Sequence, residues 1–140
     1  MKLQLSIVAV IATLLLLAGT AAPQMERQFT VDIPFDFVAA GVHLSAGTYN
    51  IFHIVNSSTM LIWREDGKAG AQVPLKMVSQ IAPGKATTKL VFNTYGDQQF
   101  LEQIWTGRDQ QVHECYRCPA EEALANQVPK VTTLTATPKK

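Results

Sequence analysis

The sequence predicts an all-β domain, an antiparallel β-sandwich or partly open barrel with one short C-terminal helix, preceded by an N-terminal signal segment. Three observations carry this. Between Gln28 and Val38, Phe29, Val31, Ile33, Phe35 and Phe37 fall on every second position with Thr30, Asp32, Pro34 and Asp36 between them. A strand points successive side chains to opposite faces, so this spacing makes one apolar and one polar face. Further short β-prone runs follow, separated by turn residues and not by long helical patterns. The chain also opens with a positive residue, an apolar run and a cluster of small residues, the layout of a secretory signal.

That opening runs from Lys2 through the apolar stretch Ile7–Ala18, broken only by Thr13, to Gly19-Thr20-Ala21-Ala22. Pro23 fits poorly just after a cleavage point, so processing is expected after Ala21. An uncleaved anchor is the competing reading, since Leu3–Ala22 approaches the ~20 residues that span a bilayer. Small residues stand where a stop-transfer signal needs charge, which favours cleavage. No Cys lies near that point, which argues against a lipid-anchored lipoprotein. No second run of spanning length follows, so no membrane contact is expected beyond the signal segment. The expected organisation is a signal peptide at 1–21, a linker at 22–27, one β-domain at 28–127 and a flexible tail at 128–140 that is mobile or at most a loose edge strand. The chain has twelve Lys and Arg against eleven Asp and Glu. Loss of Lys2 leaves the mature domain near neutrality, with its basic residues scattered apart from Lys139-Lys140. Nucleic acid, which requires clustered positive charge, is not an expected partner.

Pro34 cannot donate to a ladder, so the first strand is expected as two collinear pieces, 28–33 and 35–38, at an edge or a break. Turns follow at Ala39-Ala40-Gly41 and around Gly47, then a strand over Thr48–Val55. Met60–Arg64 and Ala71–Met77 flank Asp66-Gly67, a hairpin signal. Ala71, Val73, Leu75 and Met77 are expected on one face, and Ser79–Ala86 as a loop. Thr87–Tyr95 and Gln99–Trp105 form a second hairpin around Gly96-Asp97. Gln111–Tyr116 reads as a short strand. Pro119–Asn126 has Pro in its first turn and carboxylates near its start, the signature of a short helix.

Phe29-Thr-Val-Asp-Ile-Pro-Phe-Asp-Phe37, Leu44-Ser-Ala-Gly-Thr-Tyr49 and the hairpin Tyr95–Trp105 together resemble a group of short exported bacterial proteins. These share an F-x-V-x-[IV]-P-F-x-F opening and an L-x-A-G-x-Y step. The resemblance spans most of the mature chain and implies an exported β-fold. It transfers no catalytic or binding residue, and paired cysteines are not a defining feature of that group.

The densest chemistry lies in His113-Glu114-Cys115-Tyr116-Arg117-Cys118. Cys115 and Cys118 could close a local disulfide in an oxidising compartment. With His113 as a third ligand they could hold a thiophilic metal, the one cofactor the sequence suggests. A thiol-redox role is the third reading, although the βαβ context of a thioredoxin-like motif is missing. Trp63, Trp105, Tyr49 and Tyr95 would make a platform for a glycan or peptide if they shared an exposed face; core packing is the competing role. Asp32 and Asp36 fall on one strand face about 13 Å apart, too far to share a proton. Glu102, between Phe100 and Ile104, is expected to be partly buried and paired with Arg64 or Lys89. His53 reads as a hydrogen-bonded interior histidine and His43 as exposed. Nucleophile-elbow, phosphate-loop, HExxH and EF-hand motifs are absent from the sequence.

The functional expectation is therefore an exported, non-enzymatic domain of the periplasm, cell surface or medium. It would bind a protein or glycan, or assemble with its own kind by edge-strand pairing. A metal or redox protein built on His113, Cys115 and Cys118 is the alternative, and a small hydrolase using Asp32, Asp36 or Glu102 is a third class.

Overall fold

The computed structural model describes residues 22, 24–82, 84, 87–124 and 126–136. The expected signal segment, 1–21, lies outside the described residues. Among the described residues no helix is long and apolar enough to cross a membrane. Among the described residues ten strands and one short helix follow in order: β1 (Met25–Ile33), β2 (Phe37–Ala39), β3 (Val42–Leu44), β4 (Gly47–Ile54), β5 (Thr59–Arg64), β6 (Gly70–Gln80), β7 (Lys89–Tyr95), β8 (Gln98–Thr106), β9 (Gln111–Cys115), α1 (Pro119–Glu122) and β10 (Lys130–Thr135).

The strands form a large open sheet in the order β1-β4-β5-β6-β9-β8-β2-β3, with β7 on β8 and β10 on β7. β6 joins its two halves. Gly70–Pro74 pairs with β5, and beyond Leu75 the same strand pairs with β9, with a bulge between Leu75 and Met77. Such a bulge bends a strand and increases its twist, which lets one strand serve two layers. One apolar cluster draws on both halves: Phe29, Val31 and Ile33 of β1, Tyr49 and Ile51 of β4, Leu90 and Phe92 of β7, and Ile104 of β8. All pairings are antiparallel except the contact of β2 with β8 at Val38 and Phe100.

The opening alternation is realised over Phe29, Val31 and Ile33, all buried. The break at Pro34 is real, but its two sides are not collinear. β1 pairs with β4, whereas β2 pairs with β3 and β8, so the Pro34–Asp36 segment carries the chain from one part of the sheet to another. Asp32 and Asp36 consequently do not share a strand face. Pro74 lies at the point where β6 changes neighbours, and the bulge after it turns Met77 outward to 53% exposure, away from Ala71, Val73 and Leu75. β6 continues through Ser79 and Gln80, expected as loop.

The domain is wider than its expected limits at both ends. Met25, Glu26 and Arg27 of the expected linker pair with Ile54, His53 and Phe52. Within the expected flexible tail, Lys130–Thr135 pairs residue by residue with Lys89–Thr94. Thr132 Oγ1 lies 3.0 Å from Thr94 Oγ1, and Ala136 is buried in the core.

Gly70 illustrates a packing constraint on the outer surface. A Cβ there would collide with the Trp63 ring and stand 2.7 Å from the Ile62 carbonyl oxygen. Gly70→Ala is expected to cost about 1–3 kcal/mol in urea unfolding, as overpacking does. Combination with Trp63→Ala should fail to restore the loss, because the Ile62 carbonyl remains. A Gly70→Ala protein as stable as wild type would contradict this packing.

Candidate functional site

At one end of the sheet the segment after Pro34, the step from β3 into β4 and the β7–β8 turn line a cleft of about 440 Å³. Phe37, Val38, Leu44 and Ala69 contribute its apolar lining, and Asp36, His43, Ser45, Asp97 and Gln98 its polar groups. The β2–β3 hairpin turns through Ala40 (φ 50°) and Gly41 (φ 80°), at the end away from the cleft lining. Two consecutive left-handed residues match the right-handed twist of the flanking strands. Gly96 (φ 63°) begins the β7–β8 turn, which does reach the cleft through Asp97.

The Leu44-Ser-Ala-Gly-Thr-Tyr49 step is what fixes the polar rim. Leu44 is buried in the core. The Ala46 N–H donates to Asp36 Oδ1 at 3.0 Å, tying the step to the segment after Pro34. Gly47 leaves room for the Arg64 guanidinium, whose Nε would stand 3.2 Å from a Cβ there. That guanidinium donates to Ser45 Oγ at 2.5 Å and pairs with Asp66 at 3.2 Å. The buried Tyr49 closes the unit by donating its hydroxyl to the Ser45 carbonyl at 2.6 Å. The motif is thus a local clamp that holds Asp36 and Ser45 over an apolar floor. Carboxylates, a hydroxyl, amides and an imidazole around such a floor suit a ligand with donor groups on an apolar frame.

Beside the cleft, Val38 joins Tyr95 and Phe100 in a second small cluster, against which Cys118 and Leu124 pack from either end of α1. This helix brings Glu121 into a buried polar group. Asn93 Nδ2 donates to Glu102 Oε2 at 3.0 Å and lies 3.5 Å from Glu121 Oε1. Glu121 is only 2% exposed, and its nearest cation, Arg117, is 3.8 Å away. Burial pushes the Glu121 carboxyl above its ordinary value; nearby Glu102 adds to this, while Asn93 and Arg117 oppose it. Burial also raises Glu102, with Arg117 acting against it. Glu102 occupies the bulge of β8, unpaired between Leu101 opposite Phe92 and Gln103 opposite Val91. Its partial burial is as expected, but Arg64 and Lys89 are elsewhere: Arg64 holds Ser45 and Asp66, and Lys89 Nζ lies 3.9 Å from the Trp105 ring centroid.

The cysteine cluster does not assemble. Cys115 is buried in the main core, Cys118 belongs to the second cluster, and both are free thiols beyond disulfide distance. Among the described residues no three His, Cys, Asp or Glu side chains converge to hold a metal, so His113, Cys115 and Cys118 do not form the expected ligand set. Burial, reinforced by Glu102, Glu121 and Glu114, pushes the Cys115 thiol up to about 12. A thiolate is the reactive form, so a native chain at pH 8 should take one alkyl label, at Cys118, and a second only in denaturant. Two labels on the native protein, or none, would contradict this arrangement.

The four aromatic residues do not make a platform. Tyr49 is fully buried and Tyr95 lies in the second cluster; Trp63 is 40% exposed over Gly70, and Trp105 lies under Lys89, its Nε1–H donating to Gln103. Asp32 accepts from Thr48 Oγ1 on the exposed surface, far along the sequence from the Glu102 cluster. His43 is exposed, as expected, and lines the cleft. His53, at the other end of β4, is half-buried and bonded to the Ser57 carbonyl. The cleft and the Asn93 cluster were not visible as sites in the sequence. The one available signal was the L-x-A-G-x-Y step, whose glycine and tyrosine mark a close approach and a tethered hydroxyl.

No family model, curated protein or solved structure matches the chain.

Proposed function

We propose that the mature chain is an exported β-domain that works by binding, in a non-enzymatic role in the cell envelope, and that the cleft between the Leu44–Ser45 step and the β7–β8 turn is its contact site. The observation that carries this reading is the clamped polar rim over an apolar floor. Asp36 and Ser45 are held in place by Ala46, Arg64 and Tyr49 without any ligand, so little ordering is needed on binding. The acceptor-rich rim favours a glycan hydroxyl face or a peptide carrying Lys or Arg.

Export is tested by expressing the full sequence with a C-terminal tag, fractionating the cells and determining the N-terminus by mass spectrometry. A mature chain beginning at Ala22 in the exported fraction is expected. An intact N-terminus on chain retained in the cytosol would overturn the exported reading.

A further inference from the structure

At the end of the sheet opposite the cleft, His53 of β4 and His113 of β9 approach each other, with ring centroids 6.3 Å apart. We propose that these two imidazoles, with the thioether of Met60, form a binding site for a soft, low-coordinate metal ion of the cuprous class.

The hydrogen bonds assign the free nitrogen on each ring. The Ser57 carbonyl is only an acceptor, so His53 donates to it from Nε2 at 3.2 Å. Thr106 Oγ1 donates to the Gln111 carbonyl at 3.4 Å, so it accepts from His113 Nε2 at 3.2 Å. Both rings therefore carry Nε2–H and present Nδ1 as a lone pair. A second hydrogen bond that fixes tautomer and orientation is the usual support of a metal-ligating histidine. His113 is 4% exposed, and its Nδ1 is buried with no hydrogen-bond partner. Burying a polar atom without a partner is costly, and such atoms are rare in folded proteins.

The neighbouring donors point to the class of ion. An ion at about 2.0–2.1 Å from one nitrogen of each imidazole fits between rings so spaced. Met60 stands directly opposite His53 in the β4–β5 register, and directly paired residues share a sheet face. Met60 is fully buried. Glu26, opposite His53 on the other side, is engaged by Arg108 at 3.6 Å. With no third His, Cys, Asp or Glu converging here among the described residues, a four-coordinate zinc set is not supplied. Two imidazoles and a thioether are a soft, low-count donor set, which selects Cu(I). His53 is half-buried, so an ion would enter from its side.

The test is anaerobic competition of the mature protein against a chromophoric Cu(I) chelator, with Zn(II) in parallel, and X-ray absorption at the copper edge. One equivalent of Cu(I) is expected, with imidazole scattering and one sulfur neighbour. His53→Phe, His113→Phe and Met60→Leu should each weaken retention at least tenfold, whereas Cys115→Ser/Cys118→Ser should keep both the copper and the sulfur signal. The wild-type spectrum stands whether or not the core variants fold. Failure to hold Cu(I), loss of copper or sulfur in the cysteine variant, or preferential retention of Zn(II) would overturn the proposal.

Discussion

Phe92→Ala should lower the stability of the domain by about 3–5 kcal/mol, the cost of opening a cavity where a core aromatic ring stood. Phe92 is fully buried and meets Phe35 and Phe37 edge-on, with ring centroids at 5.0 and 5.6 Å; Phe37 in turn meets Tyr49 at 5.2 Å. The chain of rings runs from the segment after Pro34, through β7 and β2, to β4. It therefore holds together the parts of the sheet between which Pro34 carries the chain. Edge-to-face aromatic pairs contribute about 0.5–1.5 kcal/mol beyond the area they bury, so losing two of them places Phe92 toward the upper end of the range. Phe52 is the control: it is half-buried on the outer face beneath Arg27. Phe52→Ala should cost clearly less. Equilibrium urea unfolding of both variants checks the pair, and equal losses would contradict the assignment of the core.

Asn93→Ala should cost about 2–3 kcal/mol near neutral pH, because it removes the amide that Glu102 and Glu121 share and leaves buried acceptors without their donor. Glu121→Gln in that background should recover part of the loss, since it removes the buried charge that most needs the amide. The pH dependence has a definite sign. Both carboxyls have folded values raised above the ordinary 4.5, chiefly by burial. Their contribution to stability is fully present below about 4.5 and is lost as pH rises through the raised values. Wild type should therefore lose stability relative to Glu121→Gln between acid and neutral pH. A difference that does not change with pH, or wild type gaining stability relative to Glu121→Gln as pH rises, would contradict the buried pair.

Much of the strand content was legible because alternation and turn chemistry are local. Phe29, Val31 and Ile33 announce a buried face, and Asp66-Gly67 and Gly96-Asp97 announce their hairpins, without any knowledge of partners. What failed were inferences that depend on where the chain goes next. Pro34 was readable as a break, but not as a crossing between parts of the sheet, since nothing local distinguishes a kinked strand from one that changes neighbours. The bulges at Glu102 and after Leu75 shift side-chain direction by one residue, so Met77 turns outward and Glu102 sits beside Asn93 and not Arg64 or Lys89. The thiol pair misled for the opposite reason. Closeness in sequence suggested closeness of sulfurs, yet Cys115 ends a strand and Cys118 begins a helix, and each packs in a different cluster. The Thr-rich tail, with Pro129 and Pro138, was legible at most as a loose edge strand; pairing with β7 satisfies its backbone and lets only every second side chain meet the protein.

The cleft is tested most directly by amide chemical-shift mapping of the isotopically labelled mature protein against a panel of oligosaccharides and Lys- and Arg-containing peptides. Perturbations are expected at Val38, His43, Gln98 and Gln99 for at least one of these classes, with Gln72 on the exposed face of β6 unmoved and the response lost in Asp36→Asn/Asp97→Asn. Perturbations confined to β1 or β10, or no response at the cleft to any member of the panel at millimolar concentration, would contradict it.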